Sequence, residues 1–258
     1  MSGVYQFDEY MASAREALEE GNTDTAMDWV NEALSLSKHL EEEAIAQASH
    51  LKAQILIAEE EYSEAEEALQ KSLDIFPRNV EGHVLLGELM LLDGRYEGAA
   101  SAFELALEIV PQNVHARSLL VFCYGQQGKH DLAKEYFDKC AELEPELADS
   151  YYHMGLCLFR EGQPEAQELF EKALSKNPVL SGPHYYLGRM KMAEGDLAAA
   201  HSELRKELEL NPANSLAELE LVRSYLMSVP CNQPLQPSFA LSPDEVRCNN
   251  RAVIFYYT

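Results

Sequence analysis

The apolar positions of this chain repeat on two scales. In "NVEGHVLLGELMLLDG", Val84, Leu86, Met90 and Leu91 recur at helical spacing and predict one α-helix. In "GRYEGAASAFELALEIVP", Ala99, Phe103 and Ala106 stand three and four residues apart on one stripe and predict a second. The first helix begins after Asn79, a good N-cap residue, and Asn113 and Asn214 occupy the same place further on. Gly94 ends it, since glycine takes the left-handed conformation at little cost. Pro111 stops the second helix and starts the next link.

On the larger scale the pair itself recurs. "GKHDLAKEYFDKCAELEP" is a near-copy of the second helix, 34 residues on. Pro77, Pro111, Pro145, Pro178 and Pro212 follow at intervals of 34, 34, 33 and 34. Gly94, Gly128, Gly162 and Gly195 keep the step, as do Ala99, Ala133, Ala166 and Ala200, and Phe103, Phe137, Phe170 and Leu204. All four series share one phase and one short interval. A single helical hairpin cannot bury its own apolar stripe, so neighbours must stack to complete a core. The small residues let paired helices approach, and the large one fills the gap.

At these positions the sequence resembles the tetratricopeptide repeat family. The family pattern appears as Leu86, Gly87, Gly94, Tyr96, Ala99, Phe103, Ala106 and Pro111. The next unit has Leu120, Tyr124, Gly128, Ala133, Phe137 and Pro145, with Val121 for the glycine and Cys140 for the last alanine. Then come Tyr151, Gly155, Gly162, Ala166, Phe170, Ala173 and Pro178, with one residue fewer near Pro164. The last has Leu187, Gly188, Gly195, Ala200 and Pro212, with Glu207 where an alanine is expected. Upstream, Ala53, Tyr62, Ala65 and Pro77 mark another unit, and Tyr10, Gly21, Ala26 and Ala33 a further one, joined through "SKHLEEEA".

The resemblance implies an all-α fold, a right-handed superhelical solenoid of stacked helix-turn-helix hairpins. It spans residues 7–214 in about six repeats: 7–45, 46–79, 80–113, 114–147, 148–180 and 181–214. "SLAELELVRSYLM" reads as an amphipathic capping helix over 215–228, with Glu218, Glu220 and Arg223 supplying a polar outer face. From there the pattern stops. Residues 229–258 form an irregular, proline-containing tail ending in the strand-like run "AVIFYYT". This segment is unstructured, folds back on the solenoid, or is foreign to the domain, as after a frameshift or splice change. An exposed apolar run of that kind is an aggregation hazard, which disfavours free solvation.

Composition narrows the function. Of 258 residues, 44 are acidic and 20 basic, a net charge of -24. Nucleic-acid binding rests on Lys and Arg displacing counterions, so a nucleic-acid partner is not expected. An anionic membrane surface is disfavoured for the same reason. Direct membrane insertion is not expected either, since the apolar stretch "HVLLGELMLL" is interrupted by Glu88 and falls short of the ~20 residues a span needs. The five cysteines show neither C-x-x-C nor zinc-ligand spacing. That odd count, with no secretory pattern at the N-terminus, predicts reduced thiols and a cytoplasmic location.

Gly-rich phosphate loops, H-E-x-x-H and G-x-S-x-G are lacking, so the chain is expected to be no enzyme and to need no cofactor or metal. His83 and His184 fall at bulky core positions of the family and are expected to be partly buried. Cys123 and Cys157, at equivalent repeat positions, are expected to be small apolar packing residues.

The resemblance also implies where a partner would bind: the concave face, lined by the first helix of each unit. Carried over by repeat position, the candidates are Phe122, Gln126, Tyr152, His153, Phe159, Arg160, Tyr185, Tyr186 and Arg189. His50, Gln54, Val84, Glu88, Ser118, Leu156 and Met192 fall on the same face by that rule. Members that hold acidic chaperone tails use a clamp of Lys, Asn and Arg, whereas the matching places here carry Val84, Glu88, Leu119, Asp149 and His153. An asparagine ladder is equally lacking, its positions being Leu85, Leu119, His153 and Tyr186. What remains is an aromatic C-terminal half with two arginines, residue types enriched at binding hot spots. The expected function is an adaptor that holds a peptide or helix of a protein partner. The alternative is a self-assembling scaffold, a homo-oligomer formed through solenoid ends or through the tail.

Overall fold

The computed structural model describes residues 2–36 and 41–228. Among them every regular element is an α-helix. Contacts divide the chain into two compact units, Met1–Tyr136 and Phe137–Thr258, where the repeat pattern reads as one uninterrupted array over 7–214.

The first unit holds α1 (Ser2–Glu19), α2 (Thr23–Ser35), α3 (Glu42–Ala58), α4 (Tyr62–Ile75), α5 (Val80–Leu92), α6 (Tyr96–Ile109) and α7 (Val114–Gln126). The following helix, α8 (His130–Leu143), contributes to both units. The second continues with α9 (Ala148–Arg160), α10 (Ala166–Lys176), α11 (Pro183–Glu194), α12 (Leu197–Leu210) and α13 (Ser215–Ser228). From α1 to α7, and again from α9 to α13, each helix packs on the next in chain order. Two ends differ from the sequence pattern: α1 already begins at Ser2, and α3 starts at Glu42, inside the join read as a linker.

The helix caps follow from the residues. Asn22, Asn79 and Asn113 each accept a hydrogen bond from the backbone N–H three residues on, at 3.2, 3.1 and 2.9 Å. At the opposite ends, Gly94, Gly128, Gly162 and Gly195 take φ of +68°, +73°, +71° and +81°. The same step carried back from Gly94 reaches residue 60, where Glu60 takes φ of +62°. It is the one non-glycine residue with positive φ among the described residues.

The motif glycines have a packing cause. A Cβ added to Gly87 would stand 2.5 Å from the Phe103 ring, one on Gly155 2.7 Å from Phe170, and one on Gly188 2.7 Å from Leu204. Those three large side chains are fully buried. Each glycine is therefore the space that the neighbouring helix fills.

Between hairpins the chain is tied down by a side chain of the following helix. His83 Nε2 lies 2.8 Å from the Pro77 carbonyl, and the Tyr151 hydroxyl donates to the Pro145 carbonyl at 3.1 Å. Arg117 donates to the Pro111 carbonyl in the same way. His83 is buried, as its position implies, and His184 is half-buried, with Nδ1 2.6 Å from Glu203. Cys123, Cys140 and Cys157 are buried free thiols. Burial pushes the Cys123 thiol up to about 12 and raises that of Cys157.

The outer side of the last helix, read as a polar cap, carries the exposed Arg223 together with apolar side chains. Its inner face buries Ala217, Leu221 and Ser224, the first two in a cluster with Tyr185, Met192, Ala200 and Leu204. Its outer face exposes Leu216, Leu219, Leu226 and Met227. Glu220 turns back toward Arg189 and Arg223 rather than covering that face. The tail 229–258, with Cys231 and Cys248, lies outside the described residues.

Candidate functional site

Helices α9 and α11 supply the half-buried rings of an aromatic cluster in the second unit. Tyr152 and Phe159 sit seven residues apart on α9, two turns along one face. Tyr186 and Arg189 sit three apart on α11. The rings meet around Phe170 of α10. Tyr186 stacks on Phe170 with centroids 5.4 Å apart and planes at 17°, and Phe159 meets Tyr186 edge-on at 5.1 Å. Tyr152 joins at 6.1 Å from Phe170 and 6.3 Å from Tyr186. Phe170 is fully buried, whereas Tyr152, Phe159 and Tyr186 are half-buried, so one aromatic cluster reaches from core to surface.

Arg189 lies across its edge. The guanidinium carbon stands 5.2 Å from the Phe159 ring centroid and 5.6 Å from that of Tyr185. Its Nε is 4.0 Å from Glu220, at the limit of an ion pair. Arg189 is exposed and so is Arg160, the last residue of α9. His153 is half-buried with its ring 5.8 Å from Tyr152. Desolvation raises the Tyr152 and Tyr186 phenols above their ordinary value, so both present neutral hydroxyls.

Not every candidate from the sequence lines this surface. Tyr185 is 8% exposed and belongs to the core cluster beneath α13, although its ring edge meets Tyr186 at 4.9 Å. Ser118, Leu156 and Met192 are buried as well, so repeat position put them on a face they do not line. Phe122 and Gln126 sit on α7 in the first unit, both half-buried, with the Phe122 ring edge-on to Tyr96 at 6.0 Å. The other seven candidates belong to the second unit. Among the described residues, no three or more His, Cys, Asp or Glu side chains come together to hold a metal. No described helix is long and apolar enough to cross a membrane.

Three tetratricopeptide repeat models match the chain, over residues 50–114, 90–156 and 149–178. The chain belongs to the tetratricopeptide repeat family. Solved structures agree on the fold. PilF of Pseudomonas aeruginosa shares 21% identity and a TM-score of 0.67, with 88% of this chain and 100% of that one covered. PilW, described as a widely conserved type IV pilus biogenesis factor, shares 20% and a TM-score of 0.69, covering 85% and 98%. YrrB, described as a TPR protein with an unusual peptide-binding site, shares 23% and a TM-score of 0.54, covering 66% and 85%. No curated protein sequence matches the chain.

One residue departs from the tetratricopeptide pattern beside the aromatic cluster. Glu207 replaces the small residue of α12 and is completely buried. Its Oε1 accepts from the Ser181 hydroxyl at 2.8 Å, from the Gly182 N–H at 3.0 Å and from the Asn214 amide at 3.0 Å. Oε2 accepts from the same Gly182 N–H at 2.8 Å. The carboxylate thereby caps the start of α11, where a helix N-terminus favours negative charge. It also bonds the N-cap residue of α13, since Asn214 Oδ1 accepts from the Ala217 N–H at 3.1 Å. Gly182 has φ of +107°, and a Cβ there would stand 2.3 Å from the Tyr152 hydroxyl. Tyr152 is thus seated against a loop that Glu207 holds. The sequence marks Glu207 as a departure from pattern but not its partners, of which Gly182 and Ser181 lie 25 and 26 residues upstream and Asn214 seven residues downstream.

Proposed function

We propose that this chain is a non-enzymatic protein-interaction adaptor that holds a peptide or helical segment of a partner over the Tyr152–Phe159–Tyr186–Arg189 surface. The observation that carries this reading is the exposed Arg189 guanidinium lying 5.2 Å over the half-buried Phe159 ring. An aromatic shelf with an exposed cation at its edge suits a segment that pairs an apolar side chain with a carboxylate. Family membership supports the reading, since tetratricopeptide hairpins present side chains of successive first helices to a ligand. So does the peptide-binding site named for YrrB, as an analogy of fold. The net charge of -24 weighs against nucleic acid and anionic lipid. A cytoplasmic location belongs to the same reading, given the buried free thiols Cys123, Cys140 and Cys157.

The test is a capture experiment from source-cell lysate with the intact chain and with Phe159→Ala plus Arg189→Ala. Both side chains reach the surface, so helicity by circular dichroism is expected to stay unchanged. A partner lost with the double variant supports the adaptor. Equal capture by both, or turnover of any substrate by the chain, overturns it.

A further inference from the structure

The join before α11 is built differently from those upstream. Helices α5, α7 and α9 begin at Val80, Val114 and Ala148, and the same repeat step reaches Ser181. Helix α11 begins two residues later, at Pro183. Its clasp differs too. His184 stands where His83, Arg117 and Tyr151 bond a proline carbonyl, and it bonds Glu203 instead. Glu207 takes the place that Ala106, Cys140 and Ala173 fill in the three preceding hairpins with small buried side chains. Its carboxylate reaches the Gly182 N–H, which the late start leaves outside the helix.

Gly182 is where three residues meet. Its N–H is held by Glu207, and its carbonyl accepts from the Tyr186 N–H at 3.3 Å. The Tyr152 hydroxyl fills the space that a side chain there would need. The Tyr152 and Tyr186 rings, 6.3 Å apart, belong to α9 and α11, so their spacing depends on how α11 enters beside α9. That entry is anchored by a fully buried carboxylate accepting four hydrogen bonds, which it cannot leave without losing them.

We propose that Glu207 is the positioning residue of the aromatic surface: it holds Gly182, and Gly182 sets Tyr152 and Tyr186 at the spacing a partner segment meets. The proposal rests on the reading of that surface as the partner site. Glu207 lies beneath the surface and acts through Gly182. Affinity follows from such support, because a binding constellation must be held within about 0.5 Å by the residues behind it.

The test uses the full chain with Glu207→Gln, which keeps the side-chain volume but turns a donor toward one of the positions that now accepts. The readout is the nuclear Overhauser contact between the Tyr152 and Tyr186 rings, assigned with Tyr152→Phe and Tyr186→Phe. This contact is expected to be lost, while that of the stacked Tyr124–Tyr136 pair, 5.5 Å apart, stays. A wild-type contact in a folded variant means that Glu207 serves stability alone, and overturns the proposal. If Glu207→Gln does not fold, Ser181→Ala removes one donor and leaves the carboxylate in place. It is expected to weaken the same contact, and an unchanged contact there overturns the proposal. The ring contact needs no partner, so it judges Glu207 even if the capture experiment defeats the adaptor. With a captured partner, Glu207→Gln is expected to weaken binding about tenfold, as loss of a supporting residue does at other sites. Equal binding overturns the proposal.

Discussion

The carboxylate of Glu207 grips the backbone N–H of Gly182 with both oxygens, at 3.0 and 2.8 Å. A buried charge is tolerated only when its lone pairs are used, and here Ser181 and Asn214 complete the set. The alanine that the family places at this position is therefore the wrong residue for this chain. Glu207→Ala is expected to lower stability by about 2–3 kcal/mol in urea unfolding, because buried donors lose their acceptor. A neutral result means that water replaces the carboxylate.

The glycine beside each buried ring is equally committed. Gly87→Ala puts a methyl group 2.5 Å from the Phe103 ring, closer than carbon atoms approach. The expected loss is about 1–3 kcal/mol, the usual cost of overpacking. Thermal unfolding of the purified variant measures it, and an unchanged midpoint means that the hairpin opens without cost.

Glu60 points the other way. It holds φ of +62° at the step where Gly94, Gly128, Gly162 and Gly195 stand. The left-handed conformation costs a non-glycine residue about 1 kcal/mol, partly offset by the entropy glycine gains when unfolded. Glu60→Gly is expected to raise stability by up to about 1 kcal/mol, read as a higher urea midpoint. Lower stability indicates that the Glu60 side chain contributes more than its backbone costs.

Desolvation raises the phenols of Tyr124, Tyr152 and Tyr186, and Glu104 adds to the effect at Tyr124. An unfolded tyrosine loses its proton near pH 10, while these three keep theirs in the folded state. Above that pH the unfolded chain binds fewer protons than the folded one, so stability falls as pH rises. The full contribution is present below about pH 9 and is lost through the alkaline range. Phenolate absorbance is expected to show late titration in the folded chain and ordinary titration in denaturant. Tyr124→Phe with Tyr152→Phe is expected to flatten the alkaline fall.

The repeat was legible because its chemistry is local. Proline stops a helix, glycine turns the chain, and alanine lets a ring in, each within one hairpin of its effect. The surface was legible only in part. Tyr185 and Tyr186 are neighbours in sequence, yet one is core and the other half-exposed, because a single residue turns the helix by about 100°. Repeat position alone does not resolve that step for Leu156 or Met192 either. The outer face of α13 is legible in part from its charged residues, since Arg223 is exposed there. Glu220 turns toward Arg189, and exposed leucines share the face with Arg223. Glu207 shows little of its role locally, since only Asn214 is near it in sequence and Ser181 and Gly182 reach it from the far end of the preceding helix.

His83, Arg117 and Tyr151 share one repeat position, and each bonds a proline carbonyl six residues back. An imidazole, a guanidinium and a phenol have little in common beyond length and a polar hydrogen. At these three joints the residue serves by its reach and its polar hydrogen, whereas His184, one step on, turns to Glu203 instead. A profile that scores the position as a large apolar residue counts sound joints as mismatches.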